Sequence, residues 1–427
     1  MSDKKRELDA DTYADICLEK QMKLKDTSRF ANILTTVLCL GFVFAFAIGF
    51  WVVPDAEFSE AENRTLAQFP EFSKDSFLSG QFTSDFADYM ADQFPLRDLF
   101  VGIKAASETV QLKGQNNDTF IADDGYLVAR SDYPSESVLS ANLTSASKFQ
   151  KACEEKGITC IGAFAARKMD ACEELVPSIY GSYYSDRIWN ILDETCAENS
   201  LEYINLRDYL KGLDTEGLYY KSDHHWTSKG AFEAYAHIIE SYGETAYSVD
   251  DFTIETVTDS FYGTTWSAAG VKWAPADTIE YYRYEDDTNF TMRILDKSGT
   301  FEGYEGCTYE TDEDGNTYAV FDGFYVKEFL EKKDKYASFI GGNFGYTEIT
   351  LDGEERETLL IVKDSFSHSM VPFLARHYNL ILVDLRYYSQ SMIELCEARG
   401  IENVLMLYNM ETLCEANYLK WLTRGIN

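Results

Sequence analysis

The hydrophobic pattern of the chain changes twice, and each change predicts a different kind of structure. Residues 31–53 contain no charged side chain, and about 20 apolar residues suffice for a helix to cross a bilayer. Residues 77–90 then repeat large apolar side chains at three- to five-residue steps, which is typical of an amphipathic helix. Pro95 interrupts this pattern, which resumes at residues 96–110. From residue 158 onwards, short apolar runs alternate with helical segments, as in a sheet with crossover helices.

The alternating part predicts an α/β domain in which helices flank a parallel sheet. Its predicted strands are residues 158–164, 201–206, 358–364, 379–385 and 403–408. Its predicted helices are residues 183–197, 228–242, 367–377 and 391–399. A strand-like, turn-rich stretch at about residues 245–350 predicts a β-rich insertion. The predicted domains are a cytoplasmic leader at residues 1–30, a transmembrane anchor at 31–53, a helical linker at 54–125 and the α/β domain at 126–427.

Charged residues beside the apolar run predict its orientation in a membrane. Four basic residues precede the run, namely Lys20, Lys23, Lys25 and Arg29. Lys and Arg near a first span tend to remain in the cytoplasm. The residues that follow the run include the acidic Asp55 and Glu57. We therefore expect a single-pass protein of the cell membrane with a cytoplasmic amino terminus and an extracytoplasmic α/β domain. The alternative is a cleaved signal peptide, because residues 45–47 (Ala-Phe-Ala) resemble a small-x-small cleavage site.

Composition excludes some classes of partner. The chain has 72 acidic and 38 basic side chains, and its formal net charge of −34 would repel a phosphate backbone. We therefore expect no nucleic acid partner. The 29 tyrosines and 28 phenylalanines are compatible with sugar binding. The cysteines form no CxxC pair and no Cys/His cluster, so neither a metal site nor a cofactor is predicted.

Two short segments carry residues suited to nucleophilic catalysis. Asp223 and His225 lie in KSDHHWTSKG, in a predicted loop before a helix, and such loops at strand ends hold the ligand sites of open α/β sheets. Ser365 follows the apolar run 358–364 directly, where the first free amides of a helix could stabilise an oxyanion. Each feature also has a structural explanation, as a hydrogen-bonded loop pair or as a helix-capping serine. Together they supply a nucleophile, a base and a group that orients the base.

These segments resemble a known family. SDHHWT matches the signature of the DHHW proteins, and its combination with VKDSFS is similar to the alginate O-acetyltransferases of the AlgX and AlgJ type. Supporting matches are ENRTLAQFP, DQFPLRD, the Ala-Arg-Lys at 166–168, FYGTTWSAAG and GGN. The resemblance implies an SGNH-hydrolase-like domain with a circularly permuted motif order. It also implies that Ser365 is the nucleophile, His225 the general base and Asp223 the group that orients the imidazole.

The resemblance suggests further site residues and leaves alternatives among them. Asn409, at the end of a predicted strand, or Asn343 in IGGN could take the place of the family's oxyanion asparagine, and either could be a turn residue. Lys363 stands where the hydrolases have a glycine. With Arg386 it lies near a predicted strand end, where the two side chains could neutralise a bound carboxylate or an oxyanion. Trp226 is expected to pack beneath the site or to form a sugar platform.

Neighbouring side chains alternate in an extended loop, which predicts that His224 points away from the site. The acid also stands two residues before His225, whereas the SGNH hydrolases have three, and this departure matches the alginate enzymes.

The predicted function is transfer of an acetyl group to a cell-surface or secreted polysaccharide. The alginate systems imply a partner, an integral membrane acyltransferase that supplies the acetyl groups. An esterase would use the same three residues, and a non-catalytic glycan-binding or assembly protein could keep the same fold. The net charge favours a neutral acceptor over a polyuronate. Local basic residues at Arg167, Lys168, Lys363 and Arg386 could override that preference.

Overall fold

The computed structural model describes residues 10–59, 64–130, 135–178, 181–285 and 287–426. Its α-helices are α1 Ala10–Val52, α2 Lys74–Leu78, α3 Gln81–Asp92, α4 Arg97–Val110, α5 Glu136–Glu155, α6 Lys168–Ala171, α7 Gly181–Asn199, α8 Leu206–Lys211, α9 Ser228–Glu240, α10 Thr264–Ala269, α11 Val371–Leu374, α12 Met392–Arg399 and α13 Met410–Glu415. Its strands are β1 Phe58–Ser59, β2 Arg64–Thr65, β3 Gln115–Asn116, β4 Thr119–Ile121, β5 Leu127–Ala129, β6 Thr159–Ala165, β7 Tyr203–Asn205, β8 Thr253–Phe261, β9 Asp277–Arg283, β10 Phe290–Leu295, β11 Cys307–Thr311, β12 Thr317–Asp322, β13 Tyr346–Leu351, β14 Thr358–Lys363, β15 Asn379–Val383 and β16 Asn403–Asn409.

The chain forms two compact units. The first comprises residues 1–59 and 64–100, and the second comprises residues 60–63 and 101–427. In the first unit, the Ser28–Val52 part of α1 is long and apolar enough to cross a membrane. The predicted break at Pro95 is confirmed, because α3 ends at Asp92 and α4 begins at Arg97. Asp92 also holds Arg64 through an ion pair, with a second contact between Arg64 Nη1 and Asp92 Oδ2 of 2.8 Å.

A nine-stranded sheet forms the centre of the second unit. Its strand order is β11-β12-β10-β13-β15-β14-β16-β6-β7. Strands β15, β14, β16, β6 and β7 run parallel, and they correspond to the five strands predicted from the apolar runs. The residues of β14 from Leu359 to Val362 are fully buried, as expected for a parallel strand covered on both faces. The predicted α/β fold with a central sheet is confirmed.

The sheet is mixed, which corrects the prediction of a parallel sheet. Strands β13, β10, β12 and β11 extend it in antiparallel pairs. The physical reason is the short connection: β11 and β12 are joined by the turn at residues 312–316, and only antiparallel neighbours can be joined so tightly. Strands β8 and β9 pair with each other in a separate sheet.

Parallel pairing brings the functional segments to one edge of the sheet. Strand β14 ends at Lys363, which is in register with Leu407 of β16. The carboxyl ends of the two strands therefore lie side by side, so Ser365, just after β14, and Asn409, the last residue of β16, reach the same edge.

Candidate active site

Ser365 is held at the end of β14 by a turn that leaves its hydroxyl available. Asp364 caps the short 3₁₀ helix Ser365–Met370: its Oδ1 accepts a hydrogen bond from the Phe366 amide at 3.0 Å, and its Oδ2 accepts one from the Asn409 amide at 2.7 Å. The cap is thus an aspartate, and Ser365 does not serve as the capping serine. The predicted helix at 367–377 is shorter than expected, because the 3₁₀ turn leads into α11, which has Pro372 in its first turn.

The histidine loop is closed by a bridge at its ends. Tyr219 and Trp226 form an antiparallel bridge, and the Tyr220 amide donates to the His225 carbonyl at 3.2 Å. Thr227 then caps α9 by accepting from the Gly230 amide at 3.2 Å. This short closed loop carries His225 towards the end of β14.

The three residues predicted to form the site converge. His225 Nε2 lies 2.7 Å from Ser365 Oγ, and His225 Nδ1 lies 2.5 Å from Asp223 Oδ1. The His225 and Asp223 side chains are only 7% and 3% exposed. The same carboxylate oxygen accepts the His225 amide at 3.0 Å, which fixes the loop against its own acid.

Thr264 satisfies the other oxygen of Asp223. Its amide and its hydroxyl donate to Asp223 Oδ2 at 2.7 Å and 2.9 Å. Burial raises the pKa of Asp223, but the charges of the neighbouring His224 and His225 and the hydrogen bonds from His225 outweigh it and hold the pKa well below its usual value. Because an ionised carboxylate only accepts, His225 carries its proton on Nδ1 and presents the Nε2 lone pair to the Ser365 hydroxyl. This arrangement can withdraw the serine proton.

Aromatic side chains support the imidazole. The Tyr336 ring stacks on His225 with centroids 4.0 Å apart, and the Tyr336 hydroxyl donates to the Ser365 carbonyl at 3.1 Å. Trp226 is fully buried, and its Nε1 donates to the Phe366 carbonyl at 2.9 Å. The tryptophan therefore packs beneath the site, and the alternative of a sugar platform is wrong, since its ring has no surface to offer.

A cavity of about 510 Å³ opens beside Ser365. Its lining includes Ser365, His224, Arg386, Asn409, Glu411 and Glu415. Asn409 caps α13 by accepting from the Thr412 amide through Oδ1 at 3.0 Å. Its side-chain amide nitrogen has no hydrogen-bond partner among the described residues, so an amide donor remains available next to the serine.

The other predicted candidates take different positions. Arg386 lines the cavity, and its guanidinium binds the buried Asp384 with Nη2 at 2.6 Å from Oδ2. Lys363 is buried and lies 2.7 Å from His368 Nε2, and burial lowers the pKa of Lys363 to about 8. Asn343 is exposed and lies 3.5 Å from the Lys363 ammonium. Neither Lys363 nor Asn343 lines the cavity, so only Asn409 and Arg386 of these four lie beside Ser365.

Sequence reasoning missed three features of the site. His224 does not point away: its ring centroid lies 3.9 Å from that of His225 and it lines the cavity, because the closed loop is not extended. Thr264 was visible only as part of FYGTTWSAAG, and nothing in that pattern indicated its contact with Asp223. Glu411 and Glu415 had no sequence signal beyond their place after a predicted strand.

The Asp223, His224 and His225 side chains also offer ligand-type atoms within 4.8 Å of one another. A metal ion would have to displace existing hydrogen bonds, because both oxygens of Asp223 and both ring nitrogens of His225 are engaged. The hydrogen-bonding pattern thus fits an acid and base pair better than a cation site.

Comparisons with known proteins concern the part of the chain that holds these residues. The sequence model of the DHHW protein family matches residues 198–384, a range that contains Asp223, His225, Thr264 and Ser365. A search of the curated proteins found no match.

Solved structures of a DHHW family protein and of PatB1 share the fold. A DHHW family protein from Eubacterium siraeum is 18% identical, with a TM-score of 0.58 over 73% of this chain and 96% of that one. PatB1 of Bacillus cereus with a sulfonyl adduct is 20% identical, with a TM-score of 0.56 over 70% and 97%. The O-acetyltransferase domain of Pseudomonas putida AlgJ is 10% identical, with a TM-score of 0.42 over 72% and 97%. The resemblance to the DHHW protein family that SDHHWT predicts is confirmed over residues 198–384.

Proposed function

We propose that this protein is a membrane-anchored, extracytoplasmic O-acyltransferase that moves acetyl groups onto a cell-surface or secreted polysaccharide. The observation that carries the proposal is the chain of contacts from Asp223 through His225 to Ser365, at 2.5 Å and 2.7 Å. The acetyl group and the polysaccharide acceptor follow from the sequence resemblance to the alginate O-acetyltransferases.

The proposed reaction has two half-reactions. Ser365 Oγ attacks the carbonyl carbon of an acetyl ester while His225 Nε2 takes the serine proton and then passes it to the leaving group. The amide of Asn409 is placed to donate to the oxyanion that forms at the carbonyl oxygen. A sugar hydroxyl then attacks the acetyl-serine, its proton passes through His225 to Ser365 Oγ, and the free serine is restored. Asp223 holds the imidazole and stabilises its charged form.

An SGNH-like domain with a permuted motif order is part of the proposal. In the SGNH order, the serine strand comes first and the histidine loop last. Here the loop with His225 precedes the strand that leads to Ser365, and Asn409 comes later still. The pairing of β14 with β16 brings the Ser365 and Asn409 segments to one edge, and the contact of His225 with Ser365 joins the loop to them.

The charges around the cavity support a neutral acceptor. Glu411 and Glu415 line it, whereas the nearby Arg167 and Lys168 are bound by other groups of the protein. Arg167 is buried against Asp170, with Nε 2.7 Å from Oδ2, and the buried Lys168 ammonium donates to the Leu127 carbonyl at 2.8 Å. A polyuronate would therefore meet two carboxylates in the cavity, with Arg386 as the one lining cation among the predicted basic residues.

The membrane anchor and the acetyl supplier complete the proposal. The apolar part of α1 is long enough to serve as the proposed anchor, and an integral membrane acyltransferase would deliver acetyl groups on the outer side. Sequencing the amino terminus of the purified native protein tests the anchor. A mature terminus near Ala47 or beyond would favour the signal-peptide alternative.

Intact-protein mass spectrometry tests the chemistry. The full chain in detergent is incubated with 4-nitrophenyl acetate, and we expect an acetyl adduct that maps to Ser365. Ser365→Ala should abolish the adduct, whereas Ser367→Ala serves as the matched control, since Ser367 donates to the Asp364 carbonyl. A sulfonyl fluoride should label the same residue, in line with the sulfonyl adduct of PatB1. An adduct that persists in Ser365→Ala would contradict the proposal, and hydrolysis without transfer to any glycan would favour the esterase.

A further inference from the structure

The first histidine of SDHHWT has no part in the contacts between Asp223, His225 and Ser365, yet it lies in the same site. The His224 side chain is 33% exposed and lines the cavity together with Ser365. Its ring centroid is 3.9 Å from that of His225. A polar side chain at this position faces whatever enters the cavity.

The hydrogen-bond network decides which nitrogen of His224 carries the proton. The Thr264 hydroxyl has one proton, and it donates that proton to Asp223 Oδ2 at 2.9 Å, an atom that can only accept. The same hydroxyl lies 2.7 Å from His224 Nδ1. Since the threonine proton is already used, His224 Nδ1 must be the donor in this contact. The neutral ring therefore has its proton on Nδ1 and a lone pair on Nε2.

This lone pair is available to a ligand. His224 Nε2 has no hydrogen-bond partner among the described residues. Burial lowers the pKa of His224, and the neighbouring His225 lowers it further, although Asp223 acts in the opposite direction. The ring is therefore neutral at pH 7 and keeps Nε2 as an acceptor.

Two neighbouring imidazoles thus each present an Nε2 lone pair beside the nucleophile. His225 Nε2 is needed to accept the proton of the attacking hydroxyl. His224 Nε2 is a second acceptor on an adjacent ring, whose centroid lies 3.9 Å from that of His225, and it suits a second donor on the same substrate. Sugars carry such a donor on the carbon next to the attacking hydroxyl. Two acceptors on adjacent rings match two donors on neighbouring carbons, whereas a single isolated hydroxyl would leave His224 Nε2 without a donor.

We propose that His224 and His225 together recognise a vicinal diol of the acceptor, with His224 Nε2 accepting from the hydroxyl that is not acetylated. The inference rests on the proposed function and deepens it by assigning the acceptor class. During transfer the attacking oxygen forms the bond to the acetyl carbon, the Ser365 Oγ bond to that carbon breaks, and the proton passes through His225 to Ser365. The neighbouring hydroxyl keeps its proton and only donates a hydrogen bond to His224.

A pair of small acceptors that differ only in the second hydroxyl tests whether this group contributes to acceptor recognition. The full chain in detergent is acetylated with 4-nitrophenyl acetate in the presence of trans-1,2-cyclohexanediol or of its monomethyl ether, trans-2-methoxycyclohexanol. The monoether keeps one attacking hydroxyl but lacks the second donor. The ratio of acetyl transfer to hydrolysis is measured for each acceptor, because this ratio does not depend on how much of the enzyme is active. For the unaltered protein we expect the diol to exceed the monoether by about tenfold, the value of one hydrogen bond.

His224→Asn is the decisive variant, since its side-chain amide can still donate to Thr264 but offers no acceptor at the position of Nε2. We expect the preference for the diol to disappear from the ratio of transfer to hydrolysis, which is read independently of any change in the rate of nitrophenol release. His224→Gln places an amide oxygen near the Nε2 position and should restore part of the preference.

A preference that persists in His224→Asn overturns the inference, as does an unaltered protein that does not distinguish the two acceptors. A fall in nitrophenol release with an unchanged ratio also overturns it, because His224 would then act only through the Thr264 and Asp223 network. Absence of an acetyl adduct on Ser365 in the unaltered protein would instead refute the proposed function itself.

Discussion

Gly263 is the position where one added methyl group should damage the site most. A Cβ at Gly263 would lie 2.6 Å from Asp223 Cγ and closer still to Asp223 Cβ and Oδ2. Non-bonded carbon atoms prefer about 3.5 to 4.0 Å, so the carboxylate or the glycine loop must retreat by about 1 Å. The φ of Gly263 is −81°, which any residue can adopt, so close approach alone requires the glycine.

The retreat has a calculable effect on the acid and base pair. Moving Asp223 by about 1 Å would lengthen its 2.5 Å contact with His225 Nδ1 to about 3.5 Å, beyond a useful hydrogen bond. A displacement of this size at a catalytic group costs about 100-fold in rate. Overpacking the buried site should also lower the free energy of unfolding by about 1 to 3 kcal/mol.

The assay compares Gly263→Ala with a glycine that has space for a methyl group. Gly114 serves as the matched control, because a Cβ there would have no atom within 4 Å. Initial rates of nitrophenol release from 4-nitrophenyl acetate give the activity, and urea unfolding gives the stability. We expect Gly114→Ala to keep both. A Gly263→Ala protein with activity within twofold of the original and unchanged unfolding would refute the close approach of this loop to Asp223.

Three further predictions concern the same site. Thr264→Val should lower nitrophenol release by about tenfold, because Asp223 loses one of its hydrogen bonds. Thr264→Ser keeps the hydroxyl and should retain most of the rate. Equal losses in both variants would contradict this role of the hydroxyl. Because the folded-state pKa of Asp223 lies well below its usual value, the carboxylate contributes stability that is present above about pH 4 and is lost as the pH falls through the folded-state pKa. The stability difference between the original protein and Asp223→Asn in urea unfolding should therefore shrink below about pH 4, and a difference independent of pH would exclude this linkage. The double variant Glu411→Gln/Glu415→Gln should raise acetyl transfer to an anionic oligosaccharide by about two- to fivefold relative to a neutral one. This gain should fade as salt is added. A strong, salt-weakened preference of the unaltered protein for the anionic acceptor would show that Arg386 dominates.

Local patterns in the sequence were sufficient to predict the positions of the main strands and of the apolar helix. Uninterrupted apolar runs predicted β14 and its parallel neighbours to within one or two residues, because buried strands must be apolar on both faces. The apolar segment of α1 was equally visible, since it is one continuous stretch of the sequence. Asp223, His225 and Ser365 could be named because a short motif and a strand end mark them.

Only the tertiary structure decided what surrounds those residues. His225 and Ser365 are 140 positions apart, and Thr264 reaches Asp223 across 41 positions. Such contacts depend on strand register and loop closure, which no local pattern encodes. For the same reason Trp226 proved to be buried, Lys363 proved to be turned towards His368, and His224 proved to face the cavity. Side-chain direction in an irregular loop is set by the backbone contacts that close the loop, and here these are the Tyr219–Trp226 bridge and its neighbours.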